Sequence, residues 1–510
     1  MKKRILLALL SGVLLILAFP NFNIWILAWV AFLPLFFALR GKSRFQAFLL
    51  AYLTGIIFWA GNIYWLVHVT LPGQIILVLY LALYFGFFGL LSSRSLSGLS
   101  LKRLFLLPSL WVGLEYIRGY LFTGFPWSLL GYSQQVNLPV IQLSDLTGVW
   151  GVSFLVILVN IGIFRALTEK HKLSELIRRN WVPLLSIIAV LLYGCYRLYW
   201  VSPDAAGPTL KVSVVQGNIP QELKWRNEAK GHIFNKYLSL SLYAAREHPD
   251  LIVWPEAALP VVLEEEPEYI AEVQQLATQI QTPILLGALT QRDGFYYNSA
   301  VLLSSQGEIV SVYDKLHLVP FGEYVPLKGV FKFLENIAPI GDMQKGREYT
   351  VFQEEKEEIL LSEAGSLKKF DFSVLICFED LFPELSRRFV REGAGFLVNI
   401  TNDAWYKHTS ASAQHLQASV FRAVENNIFL VRSANTGISG FISPRGRILS
   451  LIKGRSGEQI FIEGQETREI VLRPGIETFY TGYGDKFILL VYLYIFAYLL
   501  LWVFKRRQVD

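Results

Sequence analysis

Three ionisable residues stand where short apolar runs end. Cys377 closes the run Phe372-Ser373-Val374-Leu375-Ile376, Glu256 follows Leu251-Ile252-Val253-Trp254-Pro255, and Lys315 comes just after Ile309–Tyr313. Such a run reads as a strand, and the turn that leaves it presents a side chain at a sheet edge. A thiol held there can attack a carbonyl carbon, with backbone N–H groups nearby to receive the oxyanion. A free thiol titrates at about 8.5, so at neutral pH it needs a base. The Glu256 carboxylate can take that proton, and the Lys315 ammonium can stabilise an anionic tetrahedral intermediate. The chemistry open to this trio is acyl transfer through a thioester. His317, two residues beyond Lys315, is the competing base, because Cys–His pairs are the commoner arrangement. Taken singly, each residue has a plainer role as a packed thiol, a surface carboxylate or a solvated ammonium. Convergence at one sheet edge is what would give the three a joint function. The second cysteine, Cys195, lies inside an apolar segment and reads as packing, so no disulfide framework is expected from the 2 cysteines.

The elements that would position the trio lie in residues 208–470. Strands are expected at Lys211–Val215, Leu251–Trp254, Pro283–Leu289, Ser299–Leu303, Glu308–Tyr313, Phe372–Ile376, Phe396–Ile400 and Phe429–Arg432. Amphipathic helices are expected at 227–247, 268–280, 383–393 and 410–427. This alternation argues an α/β domain, a sheet covered by helices. The acidic run 353–366 reads as an exposed loop or hairpin.

The rest of the chain is of another kind. Of 510 residues, 53% are hydrophobic and 17% charged, below the roughly 25% charged of soluble domains. That composition also excludes disorder. Residues 1–200 carry 16 Lys+Arg against 4 Asp+Glu, whereas the whole chain has a net charge of +6. The basic half is therefore the apolar half, which fits a membrane protein with positive short loops and not a nucleic-acid binder. Spans are expected at about 5–19, 24–39, 46–67, 74–93, 104–121, 146–164, 181–200 and 487–504, each near the length that crosses a bilayer. Lys2, Lys3 and Arg4 precede the first span, and Arg40, Lys42 and Arg44 follow the second. Arg94, Lys102 and Arg103 follow the fourth. Arg165, Lys170, Lys172, Arg178 and Arg179 follow the sixth, and Lys505, Arg506 and Arg507 the last. The loops between these, at 20–23, 68–73 and 122–139, carry no Lys or Arg. By the positive-inside rule both termini are cytoplasmic and 201–486 lies outside. The first segment also has the basic-then-apolar form of a signal peptide, but Ala18-Phe19-Pro20-Asn21 offers no A-x-A-like cleavage site. The expectation is an uncleaved first helix. Three regions result: a membrane part at 1–200 with seven helices, an outer domain at 208–470, and an eighth transmembrane helix at 487–504.

The order Trp254-Pro255-Glu256, then Tyr313-Asp314-Lys315-Leu316-His317-Leu318-Val319-Pro320-Phe321-Gly322-Glu323-Tyr324-Val325-Pro326, then Ile376-Cys377-Phe378-Glu379 resembles the nitrilase-like carbon–nitrogen hydrolase superfamily. Together with the membrane half, the chain resembles the bacterial apolipoprotein N-acyltransferase family. Leu114-Glu115-Tyr116-Ile117-Arg118-Gly119-Tyr120 with Thr123-Gly124-Phe125-Pro126-Trp127, and Val215-Gln216-Gly217-Asn218-Ile219-Pro220-Gln221, carry that likeness. It spans essentially the whole chain, and the lysine block and the Glu115–Trp127 block are its most specific parts.

The resemblance implies a four-layer αββα sandwich on an eight-helix membrane part. It implies Glu256 as base, Lys315 as oxyanion stabiliser and Cys377 as nucleophile, with Glu323 supporting Lys315 or the base. Phe378 and Glu379 would shape the turn around the nucleophile; the family often has Tyr where Phe378 stands, so a hydrogen bond from that hydroxyl is missing here. Trp225 would belong to an arm near the entry, and Asn298 would line the site. The implied reaction moves an acyl chain from a phospholipid, phosphatidylethanolamine by preference, to Cys377. It then passes to the α-amino group of the diacylglyceryl-cysteine of an apolipoprotein. Its kinetics are ping-pong, it works at the lipid bilayer of the inner membrane, and it needs no metal or diffusible cofactor. Two other readings stand beside it, a membrane-anchored amidase or nitrilase-type hydrolase and a non-enzymatic transporter or lipoprotein-binding platform. Glu115 and Arg118 lie i, i+3 on one helix face and can pair, either as a structural ion pair or as a headgroup site.

Overall fold

Valine, isoleucine and leucine runs in the second half of the chain form two six-stranded sheets among the described residues. The computed structural model describes all residues except 97–99, 169–174, 176–179, 202–207, 321, 325–342, 359–365, 473–476 and 508–510. Lys170, Lys172, Arg178 and Arg179 of the basic loop, and Phe321, Val325 and Pro326 of the lysine block, lie outside the described residues. The chain divides into two compact units, Met1–Pro203 with Thr409–Glu425 and Thr478–Asp510, and Asp204–His408 with Asn426–Glu477.

In the second unit the first sheet has the order β12-β1-β2-β3-β4-β5. Its strands are β1 Thr209–Gln216, β2 Leu251–Val253, β3 Ile284–Arg292, β4 Phe295–Leu303, β5 Ile309–Asp314 and β12 Gly464–Val471. The second sheet runs β11-β10-β9-β8-β7-β6. It contains β6 Phe352–Glu358, β7 Ser366–Ile376, β8 Phe396–Thr401, β9 Leu430–Ala434, β10 Gly440–Ile442 and β11 Ile448–Leu451. Strands β1, β2 and β3 pair in parallel, as do β7, β8 and β9. The sheets meet face to face, where the Ser433 hydroxyl on β9 donates to the Val215 carbonyl of β1 at 3.0 Å. Helices Asn227–Ala245 and Pro267–Ile280 cover the first sheet. They bury Ile233, Phe234, Tyr237, Val273 and Leu276, spaced three to four apart, on Val215, Ile252 and Leu286. Helix Pro383–Arg391 packs on β7 and β8. The layers are thus helix, sheet, sheet, helix. Every strand expected from the sequence is present, though β7 begins at Ser366 and not at Phe372, and the acidic run begins as β6, paired antiparallel to that extension of β7.

In the first unit five helices are long and apolar enough to cross a membrane, by length and composition. They are Arg44–Asn62, Leu71–Ser92, Val149–Thr168, Trp181–Tyr199 and Lys486–Phe504, among the described residues. Three expected spans differ. Lys2–Ala18 is a helix of 17 residues, and Leu101–Tyr120 carries Lys102, Arg103, Glu115 and Arg118. The run 24–39 is broken into a 3-10 turn, Trp25–Trp29, and a short helix, Leu33–Leu39. Pro34, which has no N–H, suits the first turn of that second helix. Asn160, buried in Val149–Thr168, covers the break: its side chain accepts from the Phe32 N–H at 3.0 Å and donates to the Ala28 carbonyl at 2.9 Å. Backbone groups in apolar surroundings need such partners. Helix Ala411–Asn426, assigned to the outer domain from its sequence, makes its polar contacts in the first unit. Gln414 accepts from the indole N–H groups of Trp65 and Trp127 at 3.0 and 2.8 Å and donates to the Asn62 carbonyl at 2.8 Å.

Candidate active site

Parallel strands bring their C-terminal ends to one edge, the usual place for a ligand in such sheets. Glu256 lies in the turn just beyond β2. That turn presses on β3 so closely that a Cβ on Gly287 would stand 2.5 Å from the Pro255 carbonyl oxygen and 2.7 Å from Glu256 Cα. Only glycine allows the approach. Lys315 follows β5, its N–H bonded to the Asn298 carbonyl of β4 at 2.9 Å. Cys377 follows β7 with φ at +54°, a left-handed conformation costly to any residue but glycine. Strain of this kind persists only where the surroundings impose it, and here they aim a thiol out of the strand.

Lys315 and two carboxylates form one buried group. The Lys315 ammonium donates to Glu323 Oε1 at 2.9 Å and to Glu256 Oε1 at 3.4 Å. Asn298 Nδ2 bridges the same two oxygens, at 2.7 Å from Glu323 and 2.8 Å from Glu256. Glu323 Oε2 in turn accepts the Val319 N–H at 2.7 Å. Burial works against the Lys315 ammonium, but Glu323 and Glu256 outweigh it and hold its pKa above the usual lysine value. The cation is therefore permanent at neutral pH. Its Nζ also stands 5.5 Å from the centre of the Phe378 ring, so the phenylalanine meets the ammonium through its π face without a hydroxyl. Burial pushes the Cys377 thiol well up; the Glu256 charge adds to this, Lys315 opposes it, and Asp403 adds again. A thiol so placed is protonated until a base takes its proton.

Glu379 fixes the turn that carries Cys377. Its fully buried carboxylate accepts the N–H groups of Ile376, Leu316 and His317 at 2.8, 2.7 and 2.9 Å, and the Tyr313 hydroxyl at 2.9 Å. One side chain thus ties the cysteine turn to the segment that follows Lys315. Burial pushes its carboxyl up to about 7, while the Ile376 and His317 N–H groups, Lys315 and the Tyr313 hydroxyl favour the ionised form. We predict that Glu379→Ala, which orphans four buried donors, destabilises the second unit by about 3–5 kcal/mol, read as a lower denaturant midpoint. A variant as stable as the wild type would show that these bonds contribute little.

The structure gathers Glu256, Lys315, Glu323 and Asn298 in one hydrogen-bonded group, with Phe378 beside the Lys315 ammonium and Glu379 holding the turn that carries Cys377, whose thiol feels the Glu256 and Lys315 charges. His317, the competing base, stacks on Phe382 with ring centres 3.7 Å apart and lies edge-on to Phe378. Trp225 is partly buried beside Lys224, which bonds the Glu256 carbonyl. Glu115 and Arg118 belong to the first unit, and the group just described belongs to the second. They take separate partners and form no direct ion pair: Glu115 accepts the Leu130 N–H at 2.7 Å, and Arg118 donates to the Phe125 and Trp127 carbonyls at 2.9 and 2.8 Å. Sequence reasoning missed the support beneath Cys377. Asn399 on β8 donates to the Cys377 and Leu375 carbonyls at 2.9 and 3.0 Å, and Arg432 on β9 holds Asn399, Asp380 and Asp403. The available signal was an arginine and an asparagine in otherwise apolar central strands, where a buried polar group must be paired.

Comparison with known proteins decides the family. Residues 11–162 match the family described as the apolipoprotein N-acyltransferase N-terminal domain, and residues 211–463 match the carbon-nitrogen hydrolase family. The apolipoprotein N-acyltransferase of Geobacter metallireducens is 41% identical over 503 residues, covering 94% of this chain and 92% of its own length. The chain belongs to the apolipoprotein N-acyltransferase family. Members from Methylococcus capsulatus and Photobacterium profundum are 33% and 30% identical, each aligned over more than four-fifths of both chains. As a member of that family the chain is an acyltransferase with a carbon–nitrogen hydrolase fold in its second unit. Among solved structures, an amidase from Nesterenkonia sp. covers 52% of this chain and 92% of its own at 18% identity, with a TM-score of 0.37. A carbon-nitrogen hydrolase from Helicobacter pylori covers 52% and 89% at 17% identity, with a TM-score of 0.36.

Proposed function

We propose that this chain moves a fatty acyl group from a phospholipid, through a thioester on Cys377, to the N-terminal amine of the diacylglyceryl-cysteine of an apolipoprotein. One observation carries the reading: Glu256, Lys315 and Glu323 meet beside the buried thiol of Cys377 in a chain of the apolipoprotein N-acyltransferase family. Glu256 takes the thiol proton as sulfur attacks the ester carbonyl. Lys315 faces the oxyanion that forms. When the C–O bond breaks, Glu256 returns the proton to the leaving oxygen and lysophospholipid departs. The neutral α-amine then attacks the thioester, the C–N bond forms as the C–S bond breaks, and the amine proton passes by way of Glu256 to sulfur. Both substrates are anchored in a bilayer, so the reaction belongs at its surface.

The membrane arrangement is part of the same reading. Residues 1–200 supply seven crossings and 487–504 the eighth, with both termini cytoplasmic and residues 208–470 as a periplasmic catalytic domain of the bacterial inner membrane. The alternation of basic and uncharged loops supports it. Phosphatidylethanolamine is the donor we favour. The test is product analysis with that lipid and a synthetic diacylated lipopeptide. The proposal expects N-acylated peptide and lysophospholipid in equal amounts. Free fatty acid, or ammonia from amide substrates, with no N-acyl peptide would mark a membrane-anchored amidase or nitrilase-type hydrolase instead.

A further inference from the structure

Lys224 is a second buried ammonium at the site, and the mechanism above does not use it. Only 2% of the residue is exposed. Its Nζ donates to the main-chain carbonyl of Glu256 at 3.0 Å, and the Glu256 and Cys377 side chains are the titratable groups that act on it. Lys315, on Glu256, and Asp403, which bears on Cys377, lie one contact further out, and Glu323 lies beyond them on Lys315 and Asn298. The turn that carries it, Gln221–Lys224, is fastened at its other end as well, where Asn402 beyond β8 donates to Gln221 Oε1 at 2.9 Å. The turn therefore joins the C-terminal edges of both sheets, those that deliver Glu256 and the Asp403 segment. Trp225 follows directly.

An ammonium is expensive to bury, and one carbonyl uses one of its three N–H groups. A neutral side chain of similar length would hold the fold at lower cost. Structural need alone does not account for a charge at this place. We propose that Lys224 is a positioning residue for acyl transfer, clamping the Gln221–Trp225 turn to the main chain of the base and placing a second positive charge beside the nucleophile. This rests on the reading of Cys377 as nucleophile. The charge favours the thiolate during attack, and the clamp holds Glu256 where it can take the proton. Burial lowers the Lys224 pKa to about 8 against the pull of Glu256 and Cys377. The positive charge is present below that pH and is lost above it.

The test compares Lys224→Met and Lys224→Arg in full-length protein that also carries Cys195→Ala, so that iodoacetamide reads Cys377 alone. Alkylation rates are measured between pH 6 and 9.5, alongside acyl-adduct formation from phospholipid. In the parent, the climb of rate with pH should flatten above about 8. Lys224→Met should alkylate and acylate about tenfold or more slowly at pH 7 and lose the bend. Lys224→Arg should keep most of the rate and also lose the bend, because a guanidinium stays charged throughout. The inference is overturned if Lys224→Met keeps the parent rate and profile. It is equally overturned if the loss merely follows the fraction of folded protein, read by thermal unfolding, with the bend intact. A parent that alkylates but never acylates would instead count against the acyltransfer reading, and the alkylation profiles would still decide the role of Lys224.

Discussion

Replacing Cys377 by serine should reduce N-acyl transfer by about 10³-fold or more while the protein stays folded. A hydroxyl fits the same turn, since the strain at this position lies in the backbone and Asn399 holds the carbonyl and not the side chain. What is lost is the nucleophile: a serine hydroxyl is far harder to ionise than a thiol, and burial together with the neighbouring Glu256 charge already disfavours an anion here. The measurement is single-turnover acylation by phospholipid, followed by transfer to a diacylated lipopeptide. A transporter or lipoprotein-binding platform makes the opposite forecast. On that reading Cys377→Ser still sustains growth of a strain depleted of its own enzyme, and such growth would rule out the chemistry assigned to this residue.

Glu256→Gln should be nearly as damaging, lowering the rate of acyl-enzyme formation by about 10²–10⁴-fold. The amide keeps the shape and one acceptor oxygen for Asn298 and Lys315, and Glu323 still balances the ammonium. The fold should therefore survive. Without a base the thiol must ionise unaided. Burial keeps it protonated at neutral pH, so the residual rate should rise with pH through the alkaline range. Removing the Glu256 charge takes away one of the influences that raise the thiol, so the rise begins at lower pH than the wild-type environment would permit. Normal adduct formation in this variant would transfer the role of base to His317, against its stacked position on Phe382.

Much of the site was legible because its chemistry sits at strand ends. Val, Ile and Leu runs mark β2, β5 and β7, and each hands on an ionisable residue within a few positions. The edge strand β12 was not legible, because Gly-Gln-Glu-Thr-Arg-Glu-Ile-Val shows no apolar run; it forms by adding to β1 along eight paired residues. The break at 30–32 was hidden for a related reason. An apolar run gives no sign of it, and the partner that makes it tolerable, Asn160, lies 128 residues away. Lys224 is hidden among polar neighbours in Gln-Glu-Leu-Lys, where a lysine reads as solvated until the fold closes over it. Glu379 lies two positions beyond Cys377, so its nearness to that turn is legible in the chain. Its hold on Leu316 and His317, 63 and 62 residues distant, is a property of the folded sheets alone.

The covalent step is the centre of this account, and one measurement tests it most directly. Wild-type protein is incubated with phospholipid alone, digested, and the peptide containing Cys377 is weighed by mass spectrometry before and after neutral hydroxylamine. The account requires one fatty acyl group on Cys377, removed by hydroxylamine and discharged by added lipopeptide. Protein that turns over lipid and peptide while Cys377 remains unmodified at every stage would contradict it.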